Sequence, residues 1–283
     1  MILVFGHSGQ VASELRRHDG VVALGREAVD LAQPGAAAAA IDGHAPELII
    51  NAAAYTAVDR AEDDEAGAMQ LNGAMPGEMA RAAAQSGIPF VHISTDYVFD
   101  GSGTRPWRPG DPTAPLGVYG RSKLAGEEAV LAAGGCNAVL RTSWVFSAHG
   151  QNFVKTMLRL GSARDSLSIV ADQIGGPTSA ASIARAVLAM GRRLQHGEGA
   201  GGIYHFSGAP AVSWADFARE IFRQADLGVS VRDIASADYP TTARRPLNSR
   251  LDCSETERVF GITQPDWRKC LTAVLAELER HGK

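Results

Sequence analysis

Met1-Ile2-Leu3-Val4-Phe5-Gly6-His7-Ser8-Gly9-Gln10-Val11-Ala12 opens the chain. Its apolar run is too short for a signal-peptide core and no basic segment precedes it, so Ile2–Phe5 reads as a buried first strand. The glycines follow at once, and Gln10 to Arg17 has helical composition. A strand, a glycine turn and a helix start in that order place backbone N–H groups at the carboxyl end of the strand. A pyrophosphate can rest on them if no side chain intervenes at Gly6 and Gly9, while Ala12 keeps the helix near the sheet. The spacing is Gly-x-x-Gly-x-x-Ala rather than Gly-x-Gly-x-x-Gly, so its place between strand and helix, more than the letters, separates it from an ordinary glycine-rich turn. The stretch predicts a dinucleotide-binding α/β domain, with Gly6 and Gly9 against the cofactor.

Working outward, short β-rich runs recur at Val21–Leu24, Leu48–Asn51, Phe90–Ser94 and Ala138–Arg141. Helix-length segments alternate with them around Ala36 to Ala40 and from Pro76 to Ser86, the latter ending at Gly87. Alternation of this kind predicts a doubly wound parallel sheet with helices on both faces, a Rossmann arrangement. After about residue 150 the pattern changes to helix candidates at Phe153–Leu160, Ile183–Leu194, Trp214–Gln224 and Trp267–Arg280, broken by loops such as Gly175-Gly176-Pro177. The expected division is an NAD(P)H-binding domain over residues 1–150 and a smaller, mainly substrate-binding lobe over 151–283, some of whose segments return to the first domain.

Bulk properties narrow the class. The chain has 283 residues, 45% hydrophobic and 20% charged, and its longest apolar runs fall short of the ~18 residues of a membrane span. A formal net charge of −4 without a Lys/Arg block argues against nucleic-acid binding. Cys136, Cys253 and Cys270 are odd in number and lack C-x-x-C spacing, which suits a reducing, cytoplasmic setting. Eight histidines show no metal-ligand spacing and read as structural or surface groups. Arg60-Ala61-Glu62-Asp63-Asp64-Glu65 reads as a solvated helix face.

The chemistry concentrates in Ser94-Thr95-Asp96 and Tyr119-Gly120-Arg121-Ser122-Lys123. Tyr119 and Lys123, four apart, share a helix face, so the ammonium can approach the phenol and draw its pKa of about 10 toward neutrality. Tyr119 then suits proton donation to a substrate oxygen, with Thr95 giving that oxygen a second hydroxyl donor. A lone Tyr-x-x-x-Lys is often a surface pair. Here it follows a glycine turn and a strand-end hydroxyl in the order needed to surround one nicotinamide.

Cofactor choice turns on the end of the second strand, about 20 residues past the glycine turn, where an acidic residue would hold the ribose of NAD. Gly25 stands there, and Arg26 beside it suits the 2′-phosphate of NADPH, unless it is a solvated arginine next to Glu27. Asn51-Ala52-Ala53-Ala54-Tyr55 closes the third strand with small residues that leave room for a flat cofactor or simply pack helix on sheet. Trp144, after the fifth strand, reads as an aromatic wall against a ligand or as core.

With Gly6 to Ala12, Asn51 to Asp59, Ser94 to Phe99, Tyr119 to Lys123, Arg141-Thr142-Ser143-Trp144-Val145, Asp172-Gln173 with Gly176-Pro177-Thr178, and Arg245 to Ser249, the chain resembles the extended short-chain dehydrogenase/reductases over nearly its whole length. The resemblance points to the branch that reduces the 4-ketone of dTDP-4-dehydro-β-L-rhamnose. It implies that Gly9, Gln10 and Val11 hold the cofactor, that Asp30, Leu31, Ala54, Tyr55 and Thr56 line it together with Tyr119 and Lys123, and that Thr95, Asp96 and Trp144 touch the sugar. NADPH is the expected cofactor and NADH an accepted second. Family members include homodimers, some binding magnesium through glutamates at the dimer contact, near where Glu14 stands; no metal ligand is assigned from these residues. Other readings are a nucleotide-sugar dehydratase or epimerase of the same superfamily and a non-catalytic NADP-binding subunit like that of methionine adenosyltransferase. Tyr97 after Asp96 replaces the second acid of dehydratases, and intact Thr95, Tyr119 and Lys123 oppose the non-catalytic reading.

Overall fold

The computed structural model describes residues 1–281. Five strands appear where the apolar runs predict them: β1 (Ile2–Phe5), β2 (Val21–Leu24), β3 (Leu48–Asn51), β4 (Phe90–Thr95) and β5 (Asn137–Thr142). Short strands follow, β6 (Val145–Phe146), β7 (Ser166–Val170), β8 (Ile174–Gly175) and β9 (Thr178–Ser179), before β10 (Gly202–His205) returns to pair with β5. The main sheet is parallel throughout, in the order β10-β5-β4-β3-β1-β2. Its strands are nearly continuous in apolar residues because both faces are covered. Leu48, Ile49 and Ile50, for instance, have no exposure, and each such burial is worth about 1.5–3 kcal/mol.

One face carries α1 (Gln10–Leu15) together with a helix formed much later in the chain. The other carries α2 (Ala36–His44) and, beyond the short α3 (Val58–Ala61) and α4 (Glu65–Ala68), α5 (Met75–Gln85) and α6 (Val118–Ala132). After α7 (Phe153–Gly161), it is α8 (Ala180–Gln195) that joins α1 over the sheet. A separate core gathers α7, α9 (Trp214–Gln224) and α11 (Trp267–His281) around Phe217 and Trp267, with α10 (Ser254–Phe260) packed nearer to α8. Three small sheets complete the structure: β11 (Val212–Ser213), β8 and β13 (Asn248–Ser249) in one, β12 (Ser230–Ile234) and β7 in the second, and β6 with β9 in the third.

Two local expectations need correction. The helix expected from Pro76 runs on unbroken from a π-helical turn, Met69–Ala74, and the change from the wider π turn to the α-helix falls at Met75, next to the proline whose missing N–H and ring disfavour regular α-helical bonding to the preceding turn. The acidic run after Arg60 is not one solvated helix face: α3 ends at Ala61, and Asp64 caps α4 by accepting from the Gly67 N–H. Glu62 turns inward, and its Oε1 accepts from the Val118 N–H at 2.9 Å, capping the helix that holds Tyr119 where Gly117 offers no side chain.

Candidate active site

Chain order reverses between β1 and β3, and open α/β sheets bind ligands outside the carboxyl ends of the strands at that point. A cleft of about 1200 Å³ opens there. Gly6 leaves β1 with φ 114°, and a Cβ on it would lie 3.0 Å from the Ala52 carbonyl carbon, so glycine is required for β1 and β3 to diverge. Gly9 has open space where its Cβ would project, and as the residue ahead of α1 it supplies no capping side chain. The first N–H groups of α1 therefore face a side-chain-free cradle suited to a pyrophosphate. Gln10 does more than line this cradle: its Oε1 accepts from Ser147 Oγ at 2.9 Å and Asn152 Nδ2 at 3.0 Å, tying the turn to the segment before α7.

Every residue expected at the site lines this one cleft: Gly6, Gly9, Gln10 and Val11; Arg26, Asp30 and Leu31; Ala54, Tyr55 and Thr56; Thr95 and Asp96; Tyr119 and Lys123; and Trp144. Arg26 is exposed at the rim. Asp30 spends one carboxylate oxygen on the Ala32 N–H at 3.0 Å, which shapes the turn carrying Leu31.

At the floor, β4 delivers Thr95 and Asp96 opposite the first turns of α6. The Tyr119 phenol stands by Thr95, whose Oγ1 accepts from the Tyr97 N–H at 3.2 Å and donates to Asp96 Oδ1 at 3.1 Å. Tyr97 braces the Tyr119 ring edge-on, centroids 5.5 Å apart. Burial pushes the Tyr119 phenol up to about 12, against a smaller lowering by the neighbouring Thr95 hydroxyl. Lys123, only 2% exposed, is brought down to about 8 by the same loss of solvent, with Glu127 opposing. The expectation that lysine lowers the tyrosine is thus corrected: Lys123 Nζ donates to the Ile93 carbonyl at 2.7 Å and lies 3.3 Å from His92 Nε2, and desolvation dominates at the phenol. The pair holds a firmly protonated phenol beside an ammonium that titrates near neutrality. Burial also raises Asp96 to about 6, and its Oδ2 has no hydrogen-bond partner among the described residues. An open acceptor at this depth fits a ligand hydroxyl.

Several lining residues were given no role by the sequence. Asp59 and Arg245 pair across the rim at 2.7 Å, a contact spanning 186 residues. Trp214 stacks on Trp144 with centroids 3.6 Å apart. Thr142 Oγ1, at the end of β5 and in register with Thr95, is buried without a hydrogen-bond partner among the described residues. Glu14 meets Arg17 at 3.5 Å, and among the described residues no three His, Cys, Asp or Glu side chains group as a metal site. No helix among them is long and apolar enough to cross a membrane.

A family model described as the RmlD substrate binding domain matches residues 1–280. A dTDP-4-dehydrorhamnose reductase of Sinorhizobium fredii is 46% identical, covering 100% of this chain and 99% of its own. The chain belongs to the dTDP-4-dehydrorhamnose reductase family. Among solved structures, a dTDP-4-dehydrorhamnose reductase from Clostridium acetobutylicum superposes with a TM-score of 0.92 at 34% identity, covering 98% of this chain and 99% of that one. Another from Bacillus anthracis, in complex with NADP, gives 0.91 at 32% identity and covers 98% of each. As a member of the dTDP-4-dehydrorhamnose reductase family, the chain is an α/β protein whose glycine turn, Thr95, Tyr119 and Lys123 share one cleft.

Proposed function

We propose that this protein reduces the 4-keto group of dTDP-4-dehydro-β-L-rhamnose to give dTDP-β-L-rhamnose, with NADPH preferred over NADH. The observation that carries the reading is the convergence of Thr95, Tyr119 and Lys123 in the cleft that also holds the glycine cradle. Bound NADPH supplies the hydride. Gly6, Gly9, Gln10 and Val11 would hold its pyrophosphate, Arg26 its 2′-phosphate, and Asp30, Leu31, Ala54, Tyr55 and Thr56 its adenosine and ribose edges. With its pKa raised to about 12, Tyr119 is protonated throughout the neutral range and delivers its proton to the C4 oxygen. Thr95 orients that oxygen through its hydroxyl, the Lys123 ammonium would hold the ribose of the nicotinamide, and solvent reprotonates the phenolate left behind. Asp96, with one oxygen open, receives a sugar hydroxyl, and Trp144 meets the sugar ring.

Residues 151–283 contribute mainly to the sugar-nucleotide side of the cleft, with α8 and β10 belonging to the first domain's sheet and its covering layer. The three unpaired cysteines suit a cytoplasmic enzyme, and a homodimer is the assembly the family resemblance favours. Adding the dTDP-keto sugar to protein and NADPH should bleach the reduced nicotinamide band. Binding of NADPH without turnover of any dTDP-keto sugar would instead favour the non-catalytic reading.

A further inference from the structure

Asp172-Gln173 and Gly175-Gly176-Pro177 have no part in the chemistry above, yet they converge on Trp144. Trp144 has φ 48°, a left-handed conformation that a bulky residue keeps only when its surroundings hold it. Its carbonyl accepts from the Thr178 N–H at 3.1 Å, and its indole lies parallel to that of Trp214, tilted by 10°. A Cβ built on Gly175 would meet Trp144 Cε2 at 2.7 Å, ahead of Nε1 at 2.9 Å and Cζ2 at 3.0 Å. Cε2 is recessed at the ring fusion, so reaching it first means approaching the indole through its face. Trp214 fills the opposite face, since a Cβ that close on the stacked side would meet Trp214 before Trp144. Trp144 is therefore clamped between Trp214 and the Gly175 backbone.

Trp214 is itself anchored. Its Nε1 donates to Gln173 Oε1 at 3.2 Å, Gln173 Nε2 donates to Ser236 Oγ at 2.9 Å, and Ser236 Oγ donates to Asp172 Oδ1 at 2.6 Å. The Phe153 ring supports it from the side. Of the four tryptophans, Trp107 and Trp267 also donate to the protein, to the Asn248 and Pro210 carbonyls. Trp144 alone has no acceptor for its indole N–H among the described residues, and it lines the cleft.

We infer that Trp214 and Gly175 are positioning residues: together they hold the Trp144 indole edge-on, so that it offers an N–H donor to an oxygen of the substrate's sugar. This rests on the proposed reductase reading for its substrate. It refines the sequence expectation of an aromatic wall, because a ring clamped on both faces offers the sugar its rim.

The test combines kinetics with circular dichroism on the full chain. Trp214→Ala and Gly175→Ala should raise KM for the dTDP-keto sugar about tenfold, with kcat and NADPH affinity within about twofold of wild type. Trp214→Phe, which keeps an aromatic face, should restore most of the loss. Trp144→Phe should raise KM similarly, and the double variant Trp144→Phe/Trp214→Ala should be no worse than Trp144→Phe alone. Independent losses in the double variant, or an unchanged KM in Gly175→Ala, would overturn the proposal. Without any substrate, indoles stacked this closely should give a far-ultraviolet exciton couplet that vanishes in both Trp144→Phe and Trp214→Phe. A missing couplet refutes the clamp itself, whereas a couplet without turnover refutes only the functional reading.

Discussion

Lys123 should set the alkaline limit of activity. Its ammonium is buried, opposed in its desolvation only by Glu127, and titrates at about 8. The charge is present below that pH and lost above it, so kcat/KM should fall about tenfold for each pH unit well beyond the midpoint. Tyr119 cannot produce this limb, because at about 12 its phenol is still protonated throughout the range. On the acid side Asp96, at about 6, becomes neutral as pH falls and turns into a weaker acceptor for a sugar hydroxyl, so the profile should be bell-shaped. Initial rates at saturating NADPH and limiting keto sugar, followed from about pH 5 to pH 10 at constant ionic strength, give the curve. Any residual activity in Lys123→Arg should lack the alkaline limb, since a guanidinium keeps its proton. A wild-type kcat/KM that stays level from about pH 8 to pH 10 would refute the role given to the lysine charge.

Other variants separate catalysis from binding and stability. Tyr119→Phe should lower kcat by at least about a hundredfold while NADPH still binds, checked by single-turnover rates and cofactor fluorescence. Lys123→Met should lose turnover yet be more stable near neutral pH. The buried ammonium, displaced from 10.5 to about 8, costs about 3 kcal/mol below pH 8, a cost that fades as pH rises toward 10.5. Less about 1 kcal/mol for the lost bond to Ile93, urea unfolding should show a gain of about 2 kcal/mol. Arg26→Ala should erase a roughly tenfold preference for NADPH, leaving the NADH rate nearly unchanged, because an exposed guanidinium contributes a screened, modest interaction. Equal kcat/KM with both cofactors in wild type would make Arg26 a surface residue only.

What was legible in the sequence was local. β1 and β3 are short, mostly buried runs dominated by apolar residues, and Gly6 follows the first at the position where only glycine fits, so strand, turn and site could be read together. Tyr119 and Lys123 were legible because one helical turn joins them. Interactions across long separations were not: nothing in either neighbourhood signals that Arg245 pairs with Asp59, that Glu62 caps α6, or that β10 completes the first sheet. The phenol's pKa was misjudged for a related reason. Spacing shows that a lysine is near, but the burial that outweighs it is a property of the packed cleft. Trp214 gave no sign either, since an aromatic residue at a helix start reads as core until its stacking partner is known.

The central claim is a carbonyl reduction at C4 of the sugar, with hydride arriving from one side of this cleft and a proton from Tyr119. It is tested most directly by turning over dTDP-4-dehydro-β-L-rhamnose with NADPH deuterated at the transferable position and locating the label by NMR. The expected product is dTDP-β-L-rhamnose with deuterium at C4 alone, formed in amounts equal to the NADPH consumed and absent with Tyr119→Phe. Label at another carbon, or an altered sugar formed without NADPH consumption, would contradict the assignment and point to epimerase or dehydratase chemistry instead.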